Sequence, residues 1–124
     1  MSGDFQLTAI VVDDVAIMRK MLKDLLESQN FKVVGEAANG QEAVDLCKAH
    51  DPNLVTLDIT MPVMDGLTAL KEIKKHNKAI QVVMVSAFGE RGNVLEAIKN
   101  GAANFIVKPF NADKVIRVIN SIRF

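Results

Sequence analysis

A single cysteine, Cys47, is all the thiol chemistry this chain has, which excludes an internal disulfide and fits a reducing compartment. Net charge is also missing. Fifteen Lys plus Arg balance fifteen Asp plus Glu, so no global field draws in nucleic acid or an anionic membrane. No apolar stretch approaches membrane-spanning length, and Met1 to Gln6 lacks the basic start and apolar run of a secretory leader. Repeats, linkers and low-complexity tracts are absent as well. What is there is 124 residues, 49% hydrophobic and 24% charged, enough for one domain with its own core. The expectation is a single cytoplasmic, monomeric domain over 1–124, with neither nucleic acid nor membrane as partner.

Strand-like and helix-like segments alternate along the whole chain. Thr8 to Val12 is a short apolar run that stops at Asp13-Asp14. Met18, Met21, Leu22, Leu25 and Leu26 then recur at helical spacing. Phe31 to Ala37 reads as a second, more polar strand near an edge of the sheet. Asn39 followed three places on by Glu42 is a capping-box pattern, and it opens a helix through Ala43, Leu46 and Cys47. Asn53 to Leu57 is a strand running into Asp58, shut down by Pro62, and Asp65-Gly66 is a turn before a helix through Leu67, Leu70 and Ile73. Gln81 to Val85 ends on Ser86, and a loop with Gly89 and Gly92 precedes a helix through Val94, Leu95, Ala97 and Ile98. Asn104 to Val107 ends on Lys108-Pro109, and Asn111 caps a last helix with Val115, Ile116 and Ile119. Val118 and Phe124 are expected to be exposed there, while Met18, Met21 and Met84 are expected to pack in the core.

Five strands and five helices in strict alternation, with continuously apolar strands, argue for a parallel sheet covered on both faces. Sites in such sheets lie outside the carboxyl ends of the strands. The residues there are Asp13 and Asp14, Asp58, Ser86 and Lys108. A carboxylate is intolerable inside a buried strand but acceptable at the rim, within reach of water or a cation. Three acids converging on one rim repel each other unless a cation sits among them, and oxygen-only ligands favour Mg²⁺. Zinc is disfavoured, since Cys47, His50 and His76 fall in helices away from the rim. A lysine and a hydroxyl facing an acid–metal cluster suit a phosphoryl group. Each residue alone is ordinary: Asp14 can be a helix cap, Ser86 a turn residue, Lys108 a solvated charge. Their joint placement at strand ends is the signal.

On Asp13-Asp14, Asp58 with Met61-Pro62 and Asp65-Gly66, Ser86-Ala87, Phe105 and Lys108-Pro109-Phe110, the chain resembles the receiver domains of two-component response regulators over essentially its whole length. The likeness is nearest to the single-domain CheY type. It implies the doubly wound 2-1-3-4-5 strand order and phosphoryl transfer to Asp58 from a phosphohistidine on a CheA-type kinase. It implies Mg²⁺ held by Asp14, Asp58 and the backbone carbonyl of Thr60, with Asp13 acting largely through water. Lys108, after which a cis bond to Pro109 is implied, would steady the phosphoryl oxygens. Ser86 and Phe105 would form the switch, the small Ala87 would leave access, and Thr60 and Phe88 would tune the phosphoryl lifetime. The partners implied are a flagellar switch protein of the FliM type and a phosphatase.

Other functions compete with this one. A single-domain relay would pass its phosphate to a histidine phosphotransferase. A small phosphohydrolase like the haloacid dehalogenases would need a second Asp where Thr60 stands, and a cap domain. A flavodoxin-like flavin site is disfavoured because rim acids repel the flavin phosphate. The sequence stops with the fifth helix, so the expectation is a phosphoacceptor whose output is protein binding rather than a turnover enzyme.

Overall fold

A computed structural model describes residues 6–87 and 91–124. The elements are β1 (Thr8–Val12), α1 (Ala16–Ser28), β2 (Lys32–Ala37), α2 (Gly40–His50), β3 (Leu54–Leu57), α3 (Gly66–His76), β4 (Gln81–Ala87), α4 (Arg91–Lys99), β5 (Asn104–Lys108) and α5 (Ala112–Asn120). The strands form one sheet in the order β2-β1-β3-β4-β5, every neighbouring pair parallel. This is the expected architecture, with β2 at an edge. None of the described helices is long and apolar enough to cross a membrane.

Alternation along the strands divides the core. Ile10, Val12, Val55, Leu57, Val82 and Met84 face one way and pack against α2, α3 and α4 through Ala43, Cys47, Leu70, Ile73 and Ala97. Ala9, Val11, Leu54, Val83, Val85 and Ile106 face the other way and meet Leu22 and Leu26 of α1 and Val115, Val118 and Ile119 of α5. The period of two in the strands and the helical stripes are two views of the same burial. Side-chain caps start three helices: Asn39 accepts from the Glu42 N–H, Asp65 from Thr68 and Asn111 from Lys114. Glu42 reaches back to the Ala38 N–H at 2.8 Å, one residue before the usual partner of a capping box.

Several expectations are corrected. Val118 is buried, because α5 lies on the sheet by the Val115–Val118–Ile119 edge. Phe124 is exposed but lies beyond α5, edge-on to Phe31 with ring centroids 5.7 Å apart. Met21 is exposed, since Leu22 and Leu26 centre the buried stripe of α1. Among the α4 residues whose burial is described, only Ala97 is buried, and Leu95 is 75% exposed. Gly92 is helical, because α4 begins at Arg91; Phe88 and Gly89 lie outside the described residues. Asp14 is not the cap of α1. Val15 holds that position, and its N–H is taken by the Asp13 side chain.

Thr56 is the one fully buried residue whose side-chain oxygen has no hydrogen-bond partner among the described residues. Valine has the same shape without the hydroxyl. Thr56→Val is therefore expected to stabilise the fold by about 1 kcal/mol, because it removes a desolvated group that nothing satisfies. A higher urea midpoint at unchanged slope is the expected result, and a lower midpoint would contradict it.

Candidate functional site

The backbone delivers three carboxylates to the carboxyl ends of adjacent strands. β1 and β3 pair through Val12 and Leu57, and Asp13 and Asp58 follow directly on each. The Asp58 N–H still donates to the Val12 carbonyl at 3.1 Å, so the acids sit just past the last rung of the ladder. Asp13 is fully buried and Asp58 is 5% exposed, while Asp14 is exposed. One carboxylate oxygen from each of the three lies within 4.8 Å of the others.

Lys108 closes the cluster from β5. Its Nζ donates to Asp13 Oδ2 at 2.8 Å and lies 3.5 Å from Asp58 Oδ2. Lys108 pairs with Ala87 at the end of β4 and β5. The next peptide, Lys108–Pro109, is cis, as the resemblance implied. Asp13 Oδ1 accepts the Val15 N–H at 2.9 Å, so both oxygens of this acid are engaged. Asp58 Oδ1 accepts the N–H of its neighbour Ile59 at 2.8 Å. Among the described residues its other oxygen has just the long contact to Lys108.

The electrostatics follow from these distances. Burial pushes the Asp58 carboxyl above the usual carboxylate range; the Lys108 charge opposes this, and the Asp13 charge adds to it. Burial alone would lower the Lys108 pKa, but the hydrogen bond to Asp13 and the charges of Asp58 and Asp13 outweigh it and raise the value. Three carboxylates against one ammonium leave two negative charges without a counter-charge. An all-oxygen donor set with that excess fits one hard divalent cation. Cys47, His50 and His76 are remote on α2 and α3, and burial, followed by the Asp51 charge, pushes the Cys47 thiol up to about 12, so it is inert. A groove of about 480 Å³ lined by five lysines, among them Lys71, Lys74 and Lys99, lies towards the far end of α3 and has no part in the cluster.

Ser86 is buried near the end of β4, two residues past the Leu57–Met84 pair, and Ala87 is exposed beside it. Phe105 pairs with Met84 in register and is partly buried against the α2–α3–α4 side of the core. Thr60 is exposed in the loop between β3 and α3. Met61 and Met64 of that loop are half-buried on the core, and Val63, at φ 67°, is 83% exposed. Thus Asp13, Asp14, Asp58, Ser86 and Lys108 stand at the carboxyl ends of their strands, whereas Phe105 lies inside the sheet, three residues before Lys108.

Two residues escaped the sequence reading. Gly66 opens α3 so close to β3 that a Cβ would fall inside the Asp58 carbonyl oxygen, and its N–H donates to the Ile59 carbonyl at 2.7 Å. The sequence marks the Asp65-Gly66 pair as a turn and as part of the receiver-domain resemblance, but gives no sign of this close backbone approach. Arg19, given no role by the sequence reading, donates to the Asp13 carbonyl at 2.6 Å from α1.

Residues 9–120 match the family model described as the response regulator receiver domain. The chain is 54% identical over 111 residues to the chemotaxis protein CheY of Bacillus subtilis, covering 90% of this chain and 92% of that one. It is 47% identical over 113 residues to the CheY of Thermotoga maritima, covering 91% and 94%. Among solved structures it is similar to the CheX–CheY–BeF3–Mg²⁺ complex of Borrelia burgdorferi, with TM-score 0.89 and 39% identity over 93% of this chain and 87% of that one.

Proposed function

This chain belongs to the response regulator receiver domain family, and from that premise we propose that it is a stand-alone chemotaxis regulator. Asp58 accepts a phosphoryl group from a CheA-type histidine kinase, and the modified domain changes its binding to a partner. The observation that carries this is Asp58 itself. It follows directly on a central strand, one of its oxygens has only a long contact among the described residues, and a lysine and two more acids stand around it. The CheY relatives named above are matched over more than nine-tenths of their own length, which supports the stand-alone, chemotactic reading.

The Asp58 carboxylate attacks phosphorus. Its P–O bond forms as the P–N bond of the donor phosphohistidine breaks, and the freed imidazole leaves neutral after taking a proton. Lys108, held by Asp13, stands within reach of the new phosphoryl oxygens and balances their charge. Asp14, Asp58 and the Thr60 carbonyl would hold Mg²⁺, whereas Asp13, whose two oxygens are engaged by Val15 and Lys108, would act on it through water. Held there, the ion would supply positive charge against the acids and the incoming phosphoryl oxygens.

Phosphorylation adds roughly −1.5 to −2 charge and strong acceptor oxygens. Inverting a two-state population needs about 5.5 kcal/mol of differential interaction. Two or three charge-assisted bonds of roughly 1.5–3 kcal/mol each, made in one state only, are sufficient. Ser86 supplies one of them and Lys108 another, and the half-buried Phe105 answers by rotating. The output partner is a FliM-type switch protein, and a phosphatase resets the domain, which works as a cytoplasmic monomer. Thr60 and Ala87 border the path to Asp58 and set the phosphoryl lifetime; Phe88 is assigned the same role by the family pattern alone.

Acetyl phosphate with Mg²⁺, followed by intact-mass measurement, tests the reading. Wild type is expected to gain one phosphoryl mass that Asp58→Asn does not. No gain in wild type, or an equal gain in the variant, would refute the assignment.

A further inference from the structure

Asp13 is held at every polar atom. Its N–H donates to the Ala37 carbonyl, its two carboxylate oxygens accept from Val15 and Lys108, and its own carbonyl accepts from Arg19 Nη1 at 2.6 Å. That carbonyl lies one residue past the last β1–β3 rung, where no strand N–H remains for it. It also belongs to the Asp13–Asp14 peptide, so whatever grips it sets the direction in which Asp14 leaves the strand.

Asp14 needs such a grip. Its carboxylate receives no hydrogen bond or ion pair from the described residues, although one of its oxygens stands within 4.8 Å of those of Asp13 and Asp58. Nothing on the side chain holds it there. The guanidinium is itself fixed from the far side: Glu36 of β2 lies 3.5 Å from Arg19 Nε and 3.8 Å from Lys23 Nζ. A line of contacts thus runs from the edge strand through Arg19 to the peptide between the two acids.

We infer that Arg19, steadied by Glu36, is a positioning residue that orients Asp14 for a divalent cation. The inference rests on the proposed function, in which Asp14 and Asp58 ligate that ion directly. Arginine suits the task because its planar fork serves the carbonyl and the carboxylate together, which a lysine ammonium does not. Charge alone argues the opposite way: a guanidinium near the cluster repels a cation, so deleting it for electrostatic reasons would tighten binding. The two roles therefore differ in sign.

Mg²⁺ titration of the intact protein, followed by backbone amide NMR shifts, reads the effect without any phosphoryl transfer. Arg19→Met is expected to raise the Mg²⁺ Kd about tenfold, the lower end for loss of a partner that orients a metal ligand. Arg19→Lys is expected to rescue little of it, and Glu36→Gln to give a smaller rise in the same direction. In an Asp14→Asn background, Arg19→Met is expected to add almost nothing, since its effect passes through Asp14. Unchanged or tighter binding in the Arg19 variants, or the full tenfold loss persisting without the Asp14 charge, would overturn the inference. Should Arg19→Met not fold, Glu36→Gln decides alone, and an unchanged Kd there overturns it. A wild type that binds no Mg²⁺ would instead bring down the cation reading, and this inference with it.

Discussion

Replacing Lys108 with alanine is expected to slow phosphoryl uptake from acetyl phosphate about 100-fold, because the cation facing the developing charge is gone. Without divalent cations the variant should also lose about 3 kcal/mol of stability, since the substitution leaves two buried carboxylates with no ammonium beside them. That corresponds to roughly 10 °C in Tm for a domain of this size. Added Mg²⁺ should restore more stability to the variant than to wild type, because it supplies the missing positive charge. The pH dependence fixes the sign. Lys108 has a raised pKa, so its contribution is complete below the ordinary lysine value and is lost only as pH climbs through the folded one. Asp58 also has a raised pKa, so its charge costs nothing below the ordinary carboxylate value, and the cost grows above that value until pH has risen through the folded one. The stability deficit of Lys108→Ala should therefore shrink as pH falls from neutrality into the carboxylate range. A deficit that grows on acidification, or an uptake rate equal to wild type, would contradict the arrangement.

The architecture was legible because two periodicities in the chain do not conflict. Ile10, Val12, Val55 and Leu57 alternate with Ala9, Val11, Leu54 and the orphaned Thr56, and both sets are buried, which happens only when helices cover both faces of the sheet. What misled was the width of the helical stripes. Leu95 and Ile98 extend the apolar spacing of α4, yet only Ala97 of that stretch is buried, so hydrophobicity alone could not say where contact with the sheet ends. Val118 erred the other way: α5 sits rotated so that Val118 joins Val115 and Ile119 inside.

The site was legible in its side chains and hidden in its backbone. Asp13, Asp58, Ser86 and Lys108 announce themselves because strand ends in a parallel sheet share one rim. Their precise partners do not follow from spacing. That both Asp13 oxygens are spoken for, leaving Asp14 and Asp58 as the acids with spare capacity, depends on the Val15 N–H and on the reach of Lys108. Arg19 was overlooked because a charged residue on an amphipathic helix has an ordinary explanation in solvent, and nothing in the sequence separates that from a bond to a carbonyl six residues back.

Gly66→Ala is expected to be the most damaging small change in the protein, although it adds one methyl group and is favourable by helix propensity. The new Cβ would overlap the Asp58 carbonyl oxygen and press on the Asp58 carbonyl carbon and the Ile59 Cα, all of them backbone atoms that cannot rotate aside. Relief requires moving the start of α3 off β3, and that breaks the 2.7 Å bond from the Gly66 N–H to the Ile59 carbonyl. Since the displaced backbone carries Asp58, folding and phosphoryl acceptance should fail together. The cost is set at about 3–5 kcal/mol, above the usual overpacking range because no side chain can yield. Gly35→Ala is the control. Its Cβ would come nearest to the side chain of Leu46, with the methyl groups at 3.1 Å and 3.3 Å, which a rotamer change can clear. That substitution should cost no more than about 1 kcal/mol, as a surface-accessible change does. Urea midpoints of the two variants, measured beside intact-mass labelling with acetyl phosphate, decide the matter. Equal midpoints, or a Gly66→Ala protein that labels as fast as wild type, would mean that the close approach of α3 to Asp58 does not hold the phosphoacceptor in place.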